Sequence, residues 1–185
     1  MKPGIVIISE LKGPVAKRIH ELQERFDPRM ASELPPHVTL VGSSGLGPIA
    51  LDTAVEKLEE ALAPVAASTP PLQLHFGAPI RFMQTDIVVL PLDPNGPVRV
   101  LHEQIVQRVR ALRIHAERPR FTFTPHCTLS FYRELPPARA RELLSIRIEE
   151  PVTLDCVQVF RTLDLTNTTE LFEVKLTGES HVQSR

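Results

Sequence analysis

The sequence predicts an α+β fold made of two similar lobes, on three observations. Short β-branched apolar runs that suit strands alternate with longer apolar stripes at helical spacing. The order strand, helix, strand, helix, strand occurs twice, with one further strand at the end. Eighteen prolines and eight glycines fall mostly between these runs and stop them cleanly. The chain has 185 residues, 42% of them apolar, which suits one domain or two small lobes sharing a core.

The elements follow in order. Gly4 to Ser9 is a buried strand. Val15, Ile19, Leu22 and Phe26 line one face of a helix that ends near Asp27-Pro28. His37 to Val41 is a second strand. Pro48 is expected to open a helix carrying Leu51, Val55, Leu58 and Leu62 and stopping before Pro64. Leu72, Leu74 and Phe76 alternate with polar residues as a half-buried strand, a pattern that can continue through Ile80 and Phe82. In the second half, Ile87 to Leu90 is a strand, and Val98, Leu101, Ile105, Val109 and Leu112 form a helical stripe. Phe123 to Phe131 is a strand, Pro137 to Ile146 a short arginine-rich helix, and Val152 to Phe160 and Glu170 to Leu176 two last strands. The halves span roughly 1–83 and 84–177, meeting near Met83 to Asp86. The polar tail, 178–185, is expected to fray.

Composition narrows the function. Charged residues make up 23% and nearly cancel, for a net charge of -1, whereas a protein that coats long nucleic acid shows a basic excess. A nucleic-acid substrate is then short: a nucleotide, a small oligomer or an RNA end. No run approaches the roughly 18 apolar residues of a membrane span, and the N-terminal run is too short for a signal peptide. The expectation is a cytoplasmic monomer. Cys127 and Cys156 form no metal-binding or redox spacing and read as buried apolar residues.

The chemistry is carried by two matched segments: Pro36-His37-Val38-Thr39-Leu40 and Pro125-His126-Cys127-Thr128-Leu129, about 90 residues apart. Each lies in a strand that follows the first helix of its half. Strand alternation puts His37 and Thr39 on one face, with Val38 and Leu40 on the other, and treats His126 and Thr128 likewise. Two lobes facing each other would bring two imidazoles and two hydroxyls into one cleft. That set suits phosphodiester cleavage. A neutral imidazole takes a proton from the nucleophile, a protonated one gives a proton to the leaving oxygen, and hydroxyls hold the phosphoryl oxygens. No metal or cofactor is called for.

The paired motifs, with Phe123-Thr124-Pro125-His126-Cys127-Thr128-Leu129 fitting especially well, resemble the two-histidine (2H) phosphoesterase superfamily, which includes bacterial 2′-5′ RNA ligase-like proteins and 2′,3′-cyclic phosphodiesterases. The resemblance implies a bilobal fold with an antiparallel sheet and flanking helices in each lobe around a central cleft. It also implies His37 and His126 as acid and base without assigning which is which, and Thr39 and Thr128 as phosphate-binding residues. Substrates would be 2′,3′-cyclic or 2′-5′-linked nucleotide esters.

Other residues carry less. Ser130 and Tyr132 continue the parity of His126, and Tyr132 is a candidate for substrate contact or for the rim. Arg133 and Arg161 are possible phosphate partners, and Arg81 and Phe82 could flank the cleft. Gly42 to Gly47 lacks the lysine of a phosphate-binding loop and reads as a turn. His20 and His102 read as solvated helix positions, and His75 as outward-facing. The arginines from 133 to 147 form a solvated face or a guide for RNA. Two alternatives stand beside the phosphodiesterase: a non-catalytic module that binds nucleotides or RNA ends, and the same chemistry on a non-RNA phosphodiester.

Overall fold

The computed structural model describes residues 3–82, 87–119, 121–131, 135–163 and 167–179. Its elements are β1 (Gly4–Glu10), α1 (Gly13–Phe26), α2 (Pro28–Ala31), β2 (His37–Val41), α3 (Val55–Ser68), β3 (Leu72–Leu74), β4 (Ile80–Arg81), β5 (Val88–Pro91), α4 (Pro97–Ala111), β6 (His126–Ser130), α5 (Pro137–Ser145), β7 (Val152–Leu154), β8 (Cys156–Thr162) and β9 (Thr168–Lys175). This is the α+β class that the sequence predicts. The junction of the halves, 83–86, lies outside the described residues, as do 180–185 of the tail.

One seven-stranded sheet has the order β4-β5-β6-β2-β1-β8-β9, and β3 and β7 pair as a small second sheet. Among the described residues every pairing between these strands is antiparallel. The large sheet has two sides, β2-β1-β8-β9 and β6-β5-β4, that meet where β2 pairs with β6 through Val38 and Cys127. Each side draws on both halves of the chain: β4 of the first half lies beside β5, and β8 of the second beside β1. The helices exchange as well, α1 packing on β6 and α4 on β2.

The two sides repeat each other closely. On one, Ser9 faces Val38 and Ile8 faces Thr39, and the register then slips so that Ile7 faces Val41. On the other, Leu90 faces Cys127 and Val89 faces Thr128, with the same slip bringing Val88 opposite Ser130. Leu40 and Leu129 are thus the extra residues of two matching β-bulges. The core fills the helix-covered side with Ile5, Ile7, Val38, Leu40, Val41, Val88, Leu90, Cys127 and Leu129 and the inner faces of α1, α3, α4 and α5.

Several boundaries differ from the sequence reading. Pro48 opens no helix: Ile49 bridges Ile5 and Ala116 in extended conformation, and the helix begins at Val55. It then runs through Pro64. Proline removes the N–H that would bond Glu60, and the Glu60 carbonyl takes a hydrogen bond from Arg108 Nη2 on α4 instead. Residues 72–82 form two strands in different sheets, and 152–162 likewise divide between β7 and β8. No helix among the described residues is long and apolar enough to cross a membrane.

Candidate active site

The two His-x-Thr segments begin β2 and β6, and both strands show the same sequence of burial: half-buried, buried, half-buried, buried, buried. The antiparallel pair Val38–Cys127 fixes their relation. Residues directly opposite share a face, so Val38 and Cys127 both enter the core. The adjacent His37, Thr39, His126 and Thr128 stand together on the other face, around a local twofold axis.

The imidazoles are held alike. His37 Nδ1 lies 2.7 Å from the Pro35 carbonyl oxygen, and His126 Nδ1 lies 2.7 Å from that of Thr124. A carbonyl only accepts, so each Nδ1 carries a proton and each Nε2 is the edge left for proton transfer. Both rings titrate below the ordinary histidine range. Burial is the main cause for each, opposed by the bond to the carbonyl. His37 is lowered further by the positive charge on protonated His126, which places the two rings within electrostatic reach.

The surroundings of the pair are unlike. Phe82, just past β4, packs on His126 with ring centroids 4.4 Å apart. Beside His37, Glu10 stands directly opposite on β1. Its carboxyl is pushed up by burial and by Glu170 and Glu173, against the pull of Lys12. Gln158 Nε2 donates to Glu10 Oε2 at 3.4 Å and to Glu173 Oε2 at 3.1 Å.

The other sequence candidates fare variously. Tyr132 and Arg133 lie outside the described residues. Ser130 does not continue the parity of His126: the bulge at Leu129 turns it to the core side, opposite Val88. Arg161 pairs with Ile5, a core-facing residue, and so points away from the histidines. Part of the arginine run is tied to α1 and to the chain after α5. Arg25 pairs with Glu142, Arg139 bonds the Arg25 carbonyl, and Arg147 bonds the carbonyls of Leu144 and Ile146.

His102 is the largest departure from the sequence reading. It is 4% exposed rather than solvated and bonds the Leu40 carbonyl through Nδ1 at 2.7 Å. Gln23 is also buried, and its Nε2 donates to the Thr128 carbonyl at 2.8 Å. Both fall on the apolar stripes of their helices, Gln23 eight residues after Val15 and His102 four after Val98. A polar residue on such a stripe is the signal that marks them. Phe82, which the sequence offered as a flank of the cleft, reaches His126 through the exchange of β4 between halves.

Known proteins match this architecture. The LigT protein of E. coli, solved with 3′-AMP, is 16% identical, with a TM-score of 0.57 over 96% of this chain and 99% of that one. The protein TT0787 of Thermus thermophilus is 18% identical, with a TM-score of 0.61 over 95% and 98%. No curated protein sequence matches. The pattern of the 2′-5′ RNA ligase superfamily matches residues 11–164, a span that contains both His-x-Thr strands and both helices beneath them, and the chain belongs to that superfamily.

Proposed function

We propose that this protein is a metal-independent phosphodiesterase acting on 2′,3′-cyclic or 2′-5′-linked nucleotide esters, with His37 and His126 as its general acid–base pair. The observation that carries the reading is the single register pair Val38–Cys127. It gathers two imidazoles and two hydroxyls on one face, with both Nδ1 atoms committed to carbonyls and both Nε2 edges left to work.

On a 2′,3′-cyclic phosphate the neutral Nε2 of one histidine accepts a proton from water as the water oxygen bonds phosphorus. The protonated Nε2 of the other gives its proton to the ribose 3′ oxygen as that P–O bond breaks, leaving a 2′-phosphate. The Thr39 and Thr128 hydroxyls donate to the non-bridging oxygens and hold the phosphate in line. With the 5′-hydroxyl of a second nucleotide in place of water, the same proton movements join a cyclic end to that hydroxyl through a 2′-5′ linkage.

The walls favour a small substrate. Glu10, opposite His37, and the Glu170 and Glu173 that act on it oppose a further phosphate on that side through like-charge repulsion. Phe82 against His126, and Ile80, which shares a face with Val89 and Thr128, supply apolar surface for a nucleobase. The solved complexes of LigT with 3′-AMP and with ATP are in keeping with a nucleotide-sized ligand.

The test is incubation with a 2′,3′-cyclic mononucleotide in EDTA, followed by phosphorus NMR. Growth of a 2′-phosphate resonance at an undiminished rate is expected. Tight binding without turnover across about pH 5 to 8, where histidine titrates, would instead favour a binding module.

A further inference from the structure

We propose that Gln23, Asp27 and His102 are positioning residues that grip the two His-x-Thr strands from beneath the sheet and set the spacing of His37 and His126. The inference concerns a pair whose catalytic role is the proposal above, and rests on that reading for its effect on rate.

The sheet itself is least able to fix that spacing at the point where the motifs meet. β2 and β6 share one register pair, against five for β1 and β8. Each motif strand also carries a bulge directly after its threonine, where a residue leaves the ladder and the strand bends.

Buried polar groups from the other half of the chain seize these bends. His102 on α4 donates from Nδ1 to the carbonyl of Leu40, the bulged residue of β2. On α1, Gln23 donates from Nε2 to the Thr128 carbonyl, immediately before the bulged Leu129. Asp27, four residues on, accepts the backbone N–H of Phe131 at Oδ2, 2.7 Å away. Gln23 and Asp27 thus hold β6 on both sides of its bend. All three side chains are at most 5% exposed.

His102 also links the two motifs. Its ring stacks on Phe123, three residues before His126, with centroids 3.7 Å apart and planes within 1°. A Cβ at residue 45 would fall 2.3 Å from its Nε2, so only Gly45, at φ +70°, leaves room for the ring. Burial favours the neutral ring, which keeps the Nδ1 proton for Leu40. One side chain thereby bonds the strand of the first histidine and stacks on the approach to the second.

The experiment compares Gln23→Met, which keeps shape and loses the donor, His102→Leu, and the rescue variant His102→Asn, whose amide nitrogen stands near the position of Nδ1. NMR titration of the His37 and His126 ring protons reads the coupling of the pair without reference to turnover. Gln23→Met and His102→Leu should weaken the effect of one titration on the other, and His102→Asn should restore it. With cyclic nucleotide, kcat should fall on the order of tenfold at nearly constant KM, as expected when reacting groups are misplaced. Unchanged titrations in folded variants, with only a lower melting temperature, would overturn the inference. Should His102→Leu not fold, Gln23→Met decides it alone. Altered titrations in a protein that turns over no cyclic nucleotide would strike the proposed reaction and leave the positioning role standing.

Discussion

At the residue scale the candidate site centres on two histidines, each held by one carbonyl and lowered by burial. The proposed mechanism needs one neutral and one protonated ring, so the fraction of active enzyme should peak between their two pKa values. Both values lie below the ordinary histidine value of about 6.5. The bell-shaped profile of kcat/KM, which reports the free enzyme, should therefore centre on the acid side of that value. A centre at or above pH ~7 would contradict the burial of the rings. Replacing either His37 or His126 by Ala should cost roughly two to four orders of magnitude in kcat. Wild-type rates in either variant, measured on the same cyclic nucleotide, would remove that residue from the mechanism. These two positions were legible in the sequence because alternation in a strand needs no tertiary knowledge. The Glu10 opposite His37 was not, since its register depends on how β1 meets β2.

At the scale of elements, what escaped the sequence is what depends on a distant partner. Ser130 follows simple alternation until the bulge, and a bulge is a property of two strands together. The patterns at 72–82 and 152–160 each run on without a break in the sequence, and local periodicity cannot say which sheet a strand enters. Pro64 reads as a helix stop because the compensating donor, Arg108, lies 44 positions further along the chain. That compensation is measurable. Arg108→Ala leaves the Glu60 carbonyl without this partner and should cost about 1 kcal/mol in denaturant unfolding, the usual net worth of one hydrogen bond. Pro64→Ala returns the helical N–H to the same carbonyl, so Arg108→Ala should cost less in that background. Equal costs in both backgrounds would show that Arg108 does not substitute for the missing N–H.

At the scale of the whole molecule, the near-symmetry that the repeated element order predicts is realised by exchange. β4 and β8 each complete the sheet begun by the other half, and α1 and α4 each lie under the other half's motif strand. Both histidines therefore sit at the seam, and burying them there ties the stability of the fold to their protonation. His37, His102 and His126 all titrate below the ordinary histidine value, chiefly through burial. Between their folded values and about 6.5, the unfolded chain binds more protons than the folded one. Stability is then complete above that upper bound and is lost as pH falls through the window. Glu10 acts with the opposite sign, because its carboxyl is raised, but its titration starts from the carboxylate range, near 4.5. From about pH 7.5 down to about pH 5.5, where histidine rather than carboxylate titrates, the melting temperature should fall. His102→Asn keeps the bond to Leu40 and removes one of the three titrations, so its melting temperature should fall less over the same interval. A wild-type melting temperature that stays constant across that interval would mean that the three rings are as free to protonate in the folded protein as in the unfolded chain.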